Sequence, residues 1–175
     1  MQIKNHQLER IKFIPSPNFD SRPSEEISLV VIHAISLPVG NYDTSLIIDL
    51  FTNSLDTELH PSFRDLKTLK VSSHILITRL GEIIQFVSFN QRAWHAGVSI
   101  FNGREKCNDF SIGIELEGCD YEAFTSQQYY SLNKILKTIV KEYSIPHLNI
   151  VGHSDIAPGR KTDPGNFFEW ERIKL

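Results

Sequence analysis

The sequence has 175 residues, of which 41% are hydrophobic and 22% are charged, a balance that fills one hydrophobic core and excludes a disordered chain. The net charge of −3 argues against a general binder of nucleic acid or of anionic membranes, and no apolar run approaches the roughly 20 residues of a membrane span. The two cysteines, Cys107 and Cys119, are too few for a disulfide framework. We therefore expect a single domain over residues 1–175, a cytoplasmic location, and no nucleic-acid, membrane or obligate protein partner.

The first 27 residues are polar and are interrupted by three prolines, which predicts an irregular lead-in without a signal peptide. The run 28–35 that follows is apolar and rich in β-branched side chains, and this pattern predicts a buried strand. His33 lies near the end of that strand. Side chains at strand ends are good candidates for a functional site, because the loops there can vary while the strands stay rigid.

The next third of the chain predicts one helix and one hairpin. A helix is predicted over 44–51, and the polar stretch 56–70 is predicted to be a loop or a short helix over the site. The segments 73–79 and 82–87 read as two strands, and Gly81 between them permits a tight turn.

The loop 92–97 contains small residues together with Trp94 and His95, which makes it a candidate pocket wall. The alternative is that Trp94 simply packs in the core. The segment 109–117 then alternates apolar and polar residues, which predicts a strand with one polar face. That face carries Ser111, Gly113, Glu115 and Glu117, and it is turned either to solvent or to an active site.

Apolar residues repeat every three or four positions over 125–144, which predicts the longest helix of the chain. A short apolar run at 148–151 predicts another buried strand, and a loop over 152–165 follows it. A short helix is predicted to start near Asn166. Strands that alternate with helices, plus one hairpin, indicate an α/β domain with a central mixed β-sheet flanked by helices.

Two of the seven histidines, His33 and His153, follow predicted buried strands, and Asp163 lies in the loop after His153. Two imidazoles and one carboxylate would leave a fourth position for water, as in catalytic zinc sites. Lys161 lies in the same loop and could stabilise a developing oxyanion. The alternative is a solvated loop with a weak ion pair between Lys161 and Asp163.

Hydrolysis at such a site also needs a carboxylate that takes up and returns a proton. Glu115 and Glu117 both lie on the polar face of the predicted strand, and their spacing does not distinguish between them.

The chain resembles the AmpD-type amidases, the cytosolic N-acetyl-anhydromuramyl-L-alanine amidases of peptidoglycan recycling. The resemblance extends from about Ile14 to the end of the chain. It rests on five ordered motifs, at 15–20, 31–33, 93–99, 107–118 and 152–165.

The resemblance implies the fold of the peptidoglycan recognition proteins and a Zn²⁺-dependent amidase. By motif position, His33, His153 and Asp163 would bind zinc, Glu115 would be the catalytic carboxylate, and Lys161 would stabilise the tetrahedral intermediate. The bond cut would join the lactyl group of anhydro-N-acetylmuramic acid to L-alanine in an anhydromuropeptide.

The same resemblance implies a set of substrate-binding positions, some of which depart from the family pattern. Asn is usual where this chain has Ala34, and Arg is usual where it has Lys70 and Lys106. Lysine keeps the positive charge but loses the bidentate geometry of arginine, so these changes concern substrate affinity rather than the chemistry. The positions expected to bind substrate are Ala34, Lys70, Trp94, His95, Lys106 and Ala157.

Three other functions remain open from the sequence. A non-catalytic muropeptide sensor of the same fold would lack metal ligands, and a structural zinc site would have four protein ligands. An amidase that attacks intact cell wall would carry an export signal, and we find none.

Overall fold

The computed structural model describes the whole chain, Met1 to Leu175. Twelve strands are formed: β1 (Ile3–Lys4), β2 (Gln7–Leu8), β3 (Lys12–Phe13), β4 (Phe19–Ser21), β5 (Leu29–Ile35), β6 (Ile75–Ile77), β7 (Ile83–Gln85), β8 (Gln91–Ala93), β9 (Ile100–Phe101), β10 (Arg104–Glu105), β11 (Ser111–Glu117) and β12 (Ile150–Gly152). The α-helices are α1 (Thr44–Phe51), α2 (Ser126–Tyr143) and α3 (His153–Ile156). Short 3₁₀ helices cover Pro61–Leu66, Cys107–Asp109, His147–Asn149 and Trp170–Arg172.

Six strands form the central sheet in the order β12-β5-β11-β6-β7-β3. Four of them, β12, β5, β11 and β6, run parallel, whereas β7 is antiparallel to β6 in the predicted hairpin. The predicted mixed sheet with flanking helices is therefore confirmed. Because the parallel strands share one direction, the segments that follow β5, β11 and β12 meet at the same edge of the sheet.

Helix α2 covers one face of the sheet. Its apolar stripe packs against alternate residues of β5 and β11, including Ile32 and Ile114, in the largest hydrophobic cluster of the protein. Thr125 caps the helix as part of a capping box with Gln128. This layer is scaffold, because it buries one face of the sheet against a single long helix.

The opposite face is covered by α1 and by the connections after β7 and β8. Residues of α1 pack on Leu76 and Ile84 of the hairpin, while Leu29 and Val31 of β5 pack on Ala96 and other residues of the 94–110 segment. Phe63 is buried in the 3₁₀ helix of the 56–70 stretch. His33 and Glu115 leave the sheet on this second face.

The first 27 residues are more regular than the sequence predicts. Strands β1 and β2 form a small hairpin, β3 pairs in parallel with β7 at the edge of the main sheet, and β4 pairs with β8. Each strand is only two or three residues long and depends on a distant partner or a tight turn, so it leaves no periodic signal in the sequence.

The predicted loop 152–165 begins with one helical turn, α3, which starts at His153. The N–H of Gly152 donates to Oδ2 of Asp155 at 2.7 Å, which satisfies the first turn of α3. The predicted helix near Asn166 is reduced to the 3₁₀ turn Trp170–Arg172. No helix in the structure combines the length and apolar character required to cross a membrane.

Candidate metal centre

Three side chains predicted as metal ligands converge at the C-terminal ends of the parallel strands. The Nδ1 atoms of His33 and His153 are 2.9 Å apart, and Oδ2 of Asp163 lies 3.2 Å from the first and 3.1 Å from the second. His33 comes from the end of β5, His153 from the first residue after β12, and Asp163 from the following loop. His153 and Asp163 lie 120 and 130 positions after His33 in the sequence. They meet His33 in space because β5 and β12 are parallel neighbours.

The outer nitrogens of both histidines are bonded to the same short segment. Nε2 of His33 lies 2.9 Å from Nδ1 of His95, and Nε2 of His153 lies 3.1 Å from the carbonyl oxygen of Ala96. A carbonyl only accepts, so His153 carries its proton on Nε2 and presents the lone pair of Nδ1 to the centre. Nδ1 of His95 accepts from Nε2 of His33 when His95 carries its own proton on Nε2, which faces the hydroxyl of Ser111. Nδ1 of His33 then also presents a lone pair to the centre, and such outer hydrogen bonds are typical of histidines that bind metals.

Burial and mutual contacts shape the charges of the three groups. Burial lowers the pKa of His33 to about 4, so its imidazole is neutral at pH 7. Burial alone would raise the pKa of Asp163, but its contacts with His153 and His33 hold that pKa below its usual range. The centre therefore combines neutral imidazole with an ionised carboxylate, the protonation states that metal binding requires.

The donor set fits a zinc ion. Ligand atoms around a tetrahedral zinc with bonds of about 2.0–2.2 Å are roughly 3.3–3.6 Å apart, close to the separations of 2.9–3.2 Å seen here. No fourth side chain of a metal-binding type joins the cluster. Three ligands and one open position are typical of catalytic rather than structural zinc sites, which disfavours the structural alternative.

Glu115 lies beside this cluster on the neighbouring strand. It pairs in register with His33 across β11 and β5, and the two side chains leave the same face. Its Oε2 atom is buried and has no hydrogen-bond partner in the protein. Burial, together with the charge of Asp163, raises the pKa of Glu115 well above its ordinary value, while Lys161 opposes this shift. A buried carboxylate with a free oxygen and a raised pKa suits a proton-transfer role.

Glu117, the other candidate of the polar strand face, is fully used as a structural acceptor. The hydroxyl of Thr44 donates to its Oε1 at 2.7 Å, and the backbone N–H of Arg79 donates to its Oε2 at 2.8 Å. The geometry therefore favours Glu115 for the chemistry and gives Glu117 the task of joining α1 to the sheet.

Lys161 lies in the same loop as Asp163 and its side chain is exposed. Its positive charge is near enough to lower the pKa of both Glu115 and His33. It forms no ion pair with Asp163, whose Oδ2 contacts the two histidines instead. The alternative of a simple solvated Lys161–Asp163 pair is therefore not what the structure contains.

Two predicted substrate-binding positions lie next to the candidate metal ligands. Ala34 lines a cavity of about 300 Å³ that also contacts Ser36, Lys161 and Asp163. Ala157 is buried, and its carbonyl accepts the backbone N–H groups of Arg160 and Lys161, which closes the turn that carries Lys161.

His95 is enclosed rather than exposed. Its Nδ1 faces His33, its Nε2 lies 3.1 Å from the hydroxyl of Ser111, and a Cβ at Gly113 would lie only 2.5 Å from its ring. Glycine at position 113 therefore leaves the space that the His95 ring occupies. We infer that His95 mainly orients His33, and its direct contact with substrate stays a prediction.

The remaining predicted substrate-binding positions form no hydrogen bond with the candidate metal ligands. Trp94 is half-buried, and Lys70 and Lys106 are exposed. Neither ammonium group forms an ion pair or a hydrogen bond within the protein, so both are free to meet an anionic ligand.

Two residues that hold the site together were not predicted from the sequence. Arg160 donates to the carbonyl oxygens of Ala96 at 2.6 Å and Val98 at 2.7 Å, and it thereby ties the ligand loop to the segment behind it. Asn108 accepts the N–H groups of His95 and Ala96. The only signal for either is its place inside the long motifs, because the partners are distant in sequence.

Comparison with known proteins gives one consistent family. Residues 23–166 match the sequence profile of the N-acetylmuramoyl-L-alanine amidases. The 1,6-anhydro-N-acetylmuramyl-L-alanine amidase AmpD of Haemophilus influenzae is 53% identical over 172 residues, which cover 97% of this chain and 94% of that protein. A crystal structure of a selenomethionine AmpD derivative matches with a TM-score of 0.96 at 48% identity, covering 99% of this chain and 97% of the other.

A more distant solved structure shows a bound ligand. The amidase AmiD from Escherichia coli was solved with the substrate anhydro-N-acetylmuramic acid-L-Ala-D-γ-Glu-L-Lys. It is 32% identical, has a TM-score of 0.66, and the match covers 84% of this chain and 56% of AmiD.

Proposed function

The chain belongs to the N-acetylmuramoyl-L-alanine amidase family, and we propose that it hydrolyses the amide bond between anhydro-N-acetylmuramic acid and L-alanine in muropeptides. Zinc is the proposed metal, with His33, His153 and Asp163 as its ligands. The similarity to AmpD over almost the whole chain supports the substrate. The chemistry rests on one observation, the unpartnered carboxylate of Glu115 in register with His33 at a three-ligand centre.

The residues around the centre divide the reaction between them. When bound, zinc polarises the amide carbonyl and lowers the pKa of a water molecule. Glu115 takes a proton from the attacking water as the carbon–oxygen bond forms, and it returns that proton to the nitrogen of L-alanine as the carbon–nitrogen bond breaks. The products are the lactyl carboxylate and the free amino group of the stem peptide.

Lys161 completes this assignment. The carbonyl oxygen gains negative charge as water adds, and an ammonium group beside it stabilises that charge. The exposed position of Lys161 next to the buried centre suits this role, because the side chain can move towards the substrate after binding.

We also propose that residues 1–175 act as one zinc amidase domain and that the protein works in the cytoplasm. The family match covers the central 23–166, and the lead-in strands pair with strands inside that range. Cys107 and Cys119 are free thiols, as is usual for proteins of reducing compartments.

The decisive experiment is mass spectrometry of products from purified anhydromuropeptide and from intact sacculi, with and without a chelator. We expect free stem peptide and anhydro-N-acetylmuramic acid from the soluble substrate, loss of activity with chelator, and recovery on adding zinc. Release of peptide from sacculi alone would favour a cell-wall amidase instead.

The non-catalytic sensor is tested by the same samples. A sensor would bind the anhydromuropeptide without releasing peptide, even when loaded with zinc. The presence of all three ligands and of a free buried carboxylate speaks against it.

A further inference from the structure

One dipeptide, His95–Ala96, holds the outer nitrogens of both histidine ligands. The ring of His95 meets Nε2 of His33 at 2.9 Å, and the carbonyl of Ala96 accepts from Nε2 of His153 at 3.1 Å. The direction in which each ligand presents Nδ1 to the centre therefore depends on where this dipeptide lies.

Arg160 donates to the carbonyl oxygen of Ala96, but one other side chain holds both backbone N–H groups of the dipeptide. Oδ1 of Asn108 accepts the backbone N–H of His95 at 3.2 Å and that of Ala96 at 2.8 Å. Both N–H groups belong to an irregular segment that has no strand partner here, since β8 ends at Ala93. The side-chain oxygen of Asn108 thus takes the place of the backbone hydrogen bonds that would hold this segment if it were part of a paired strand.

Asn108 is anchored in turn by a half-buried cation. Arg22 donates to the carbonyl oxygens of Asn108 at 3.0 Å and Ser111 at 2.7 Å. It also donates to the carbonyl of Phe89 at 3.1 Å. The guanidinium therefore fixes the start of β11 and the turn before it against the connection after β7. Because the anchor is rigid, the position of Asn108 Oδ1 is set by the fold.

We propose that Asn108 is a positioning residue for the metal centre, which acts through the His95–Ala96 dipeptide on both histidine ligands. This inference rests on the proposed zinc site. Without the amide oxygen, the two N–H groups lose their acceptor, the dipeptide shifts, and the Nδ1 atoms of His33 and His153 no longer face one ion. The loss is expressed as weaker zinc binding.

The atoms used by Asn108 suggest a discriminating variant. Its Oδ1 makes both contacts, whereas its Nδ2 has no hydrogen-bond partner in the protein. Asn108→Asp keeps an acceptor of the same shape and should keep the site. Asn108→Ala removes the acceptor and should weaken it.

The test measures zinc dissociation constants of the metal-free protein by competition with a chromophoric chelator, alongside urea unfolding of the same metal-free samples. Loss of partners behind a metal ligand typically weakens binding by 10- to 100-fold, and we expect about tenfold for Asn108→Ala. Asn108→Asp should bind zinc close to the wild type. With zinc in excess, kcat of Asn108→Ala should recover while its KM stays unchanged.

Asn133→Ala is the matched control. The Asn133 side chain also accepts a backbone N–H, that of Lys174 at 2.6 Å, but it joins α2 to the C-terminal segment away from the centre. It should lower the unfolding free energy of the metal-free protein without changing zinc affinity.

The outcomes separate this inference from the proposed function. If the wild type binds no zinc, the zinc site itself fails and the inference falls with it. If the wild type binds zinc and Asn108→Ala binds it equally well, or Asn108→Asp is as weak as Asn108→Ala, only the positioning role is overturned. Should Asn108→Ala not fold, Asn108→Ser replaces it in the same comparison with Asn108→Asp.

Discussion

Glu115 and His33 occupy one register position on two parallel strands, so that a carboxylate and the imidazole of a candidate metal ligand leave the sheet side by side. The backbone hydrogen bonds of β5 and β11 fix their separation, and no flexible loop lies between them. The proposed proton-transfer group is therefore held against the centre by the most rigid part of the fold.

Replacing Glu115 with Gln should lower kcat by about 10²- to 10⁴-fold, because the amide cannot carry the proton from water to the leaving nitrogen. Zinc affinity should be retained, since Glu115 is not among the three ligands. Steady-state kinetics and zinc titration of the same samples check both expectations.

Glu117→Gln provides the control for this experiment. Glu117 lies two residues further along the same strand and only accepts hydrogen bonds from Thr44 and Arg79. The Glu117→Gln variant should have a lower free energy of unfolding but an unchanged kcat. Normal kcat in Glu115→Gln, with the fold intact, would show that another group transfers the proton.

Lys161→Ala should lower kcat by about 10²- to 10³-fold with little change in KM, because an oxyanion forms only as the reaction proceeds. Lys161→Arg keeps the charge and should retain more of the turnover. An alanine variant whose KM rises while its kcat is unchanged would assign Lys161 to substrate binding instead.

His74 should make the folded protein sensitive to acid. Burial, helped by the nearby charge of Arg22, lowers the pKa of His74 from 6.5 to about 3. Below pH 6.5 the unfolded chain therefore binds a proton that the folded protein does not, and stability falls as the pH drops towards 3. This one group should remove about 2 kcal/mol of unfolding free energy between pH 7 and pH 5.

Urea unfolding of the wild type and of His74→Asn at pH 7 and pH 5 measures this contribution. Asparagine keeps an acceptor for the N–H of Gly113, which donates to Nδ1 of His74 at 3.0 Å, but it does not titrate. The variant should lose less stability than the wild type over this interval. Equal losses would mean that other histidines carry the whole effect.

Lys70→Arg and Lys106→Arg should each tighten binding of muropeptides that bear free carboxylates. Both side chains are exposed, and a guanidinium adds a bidentate contact that an ammonium lacks. We expect KM to fall by about three- to tenfold, near 1 kcal/mol. A peptide whose carboxylates are amidated is the control, and an unchanged KM in both variants would remove these lysines from the substrate site.

The three side chains that converge as candidate metal ligands could be selected from the sequence because the signals for them are local. His33 and His153 each follow a β-branched apolar run, and Asp163 lies in a loop rich in proline and glycine beside Lys161. Apolar, β-branched runs of this kind are buried in most folds, whichever strands they pair with. The position at which each run ends can therefore be recognised from the local sequence alone.

The support behind the ligands could not be predicted in this way. Asn108, in the 3₁₀ helix Cys107–Asp109, contacts the irregular segment that contains His95 and Ala96, and the carbonyl of Ala96 meets a histidine 57 positions away. Nothing periodic marks these residues. The choice between Glu115 and Glu117 also requires the structure, because both side chains lie on the same face of the strand. In the structure, Glu117 already accepts hydrogen bonds, whereas Oε2 of Glu115 has no hydrogen-bond partner.

The parallel pairing of β5 with β12 also has a consequence for biosynthesis. His33 and Asp163 are 130 positions apart, and the residues that orient them lie between. A translating ribosome must therefore release the entire stretch before the candidate metal centre can assemble, so binding of the proposed zinc ion has to follow synthesis of this segment.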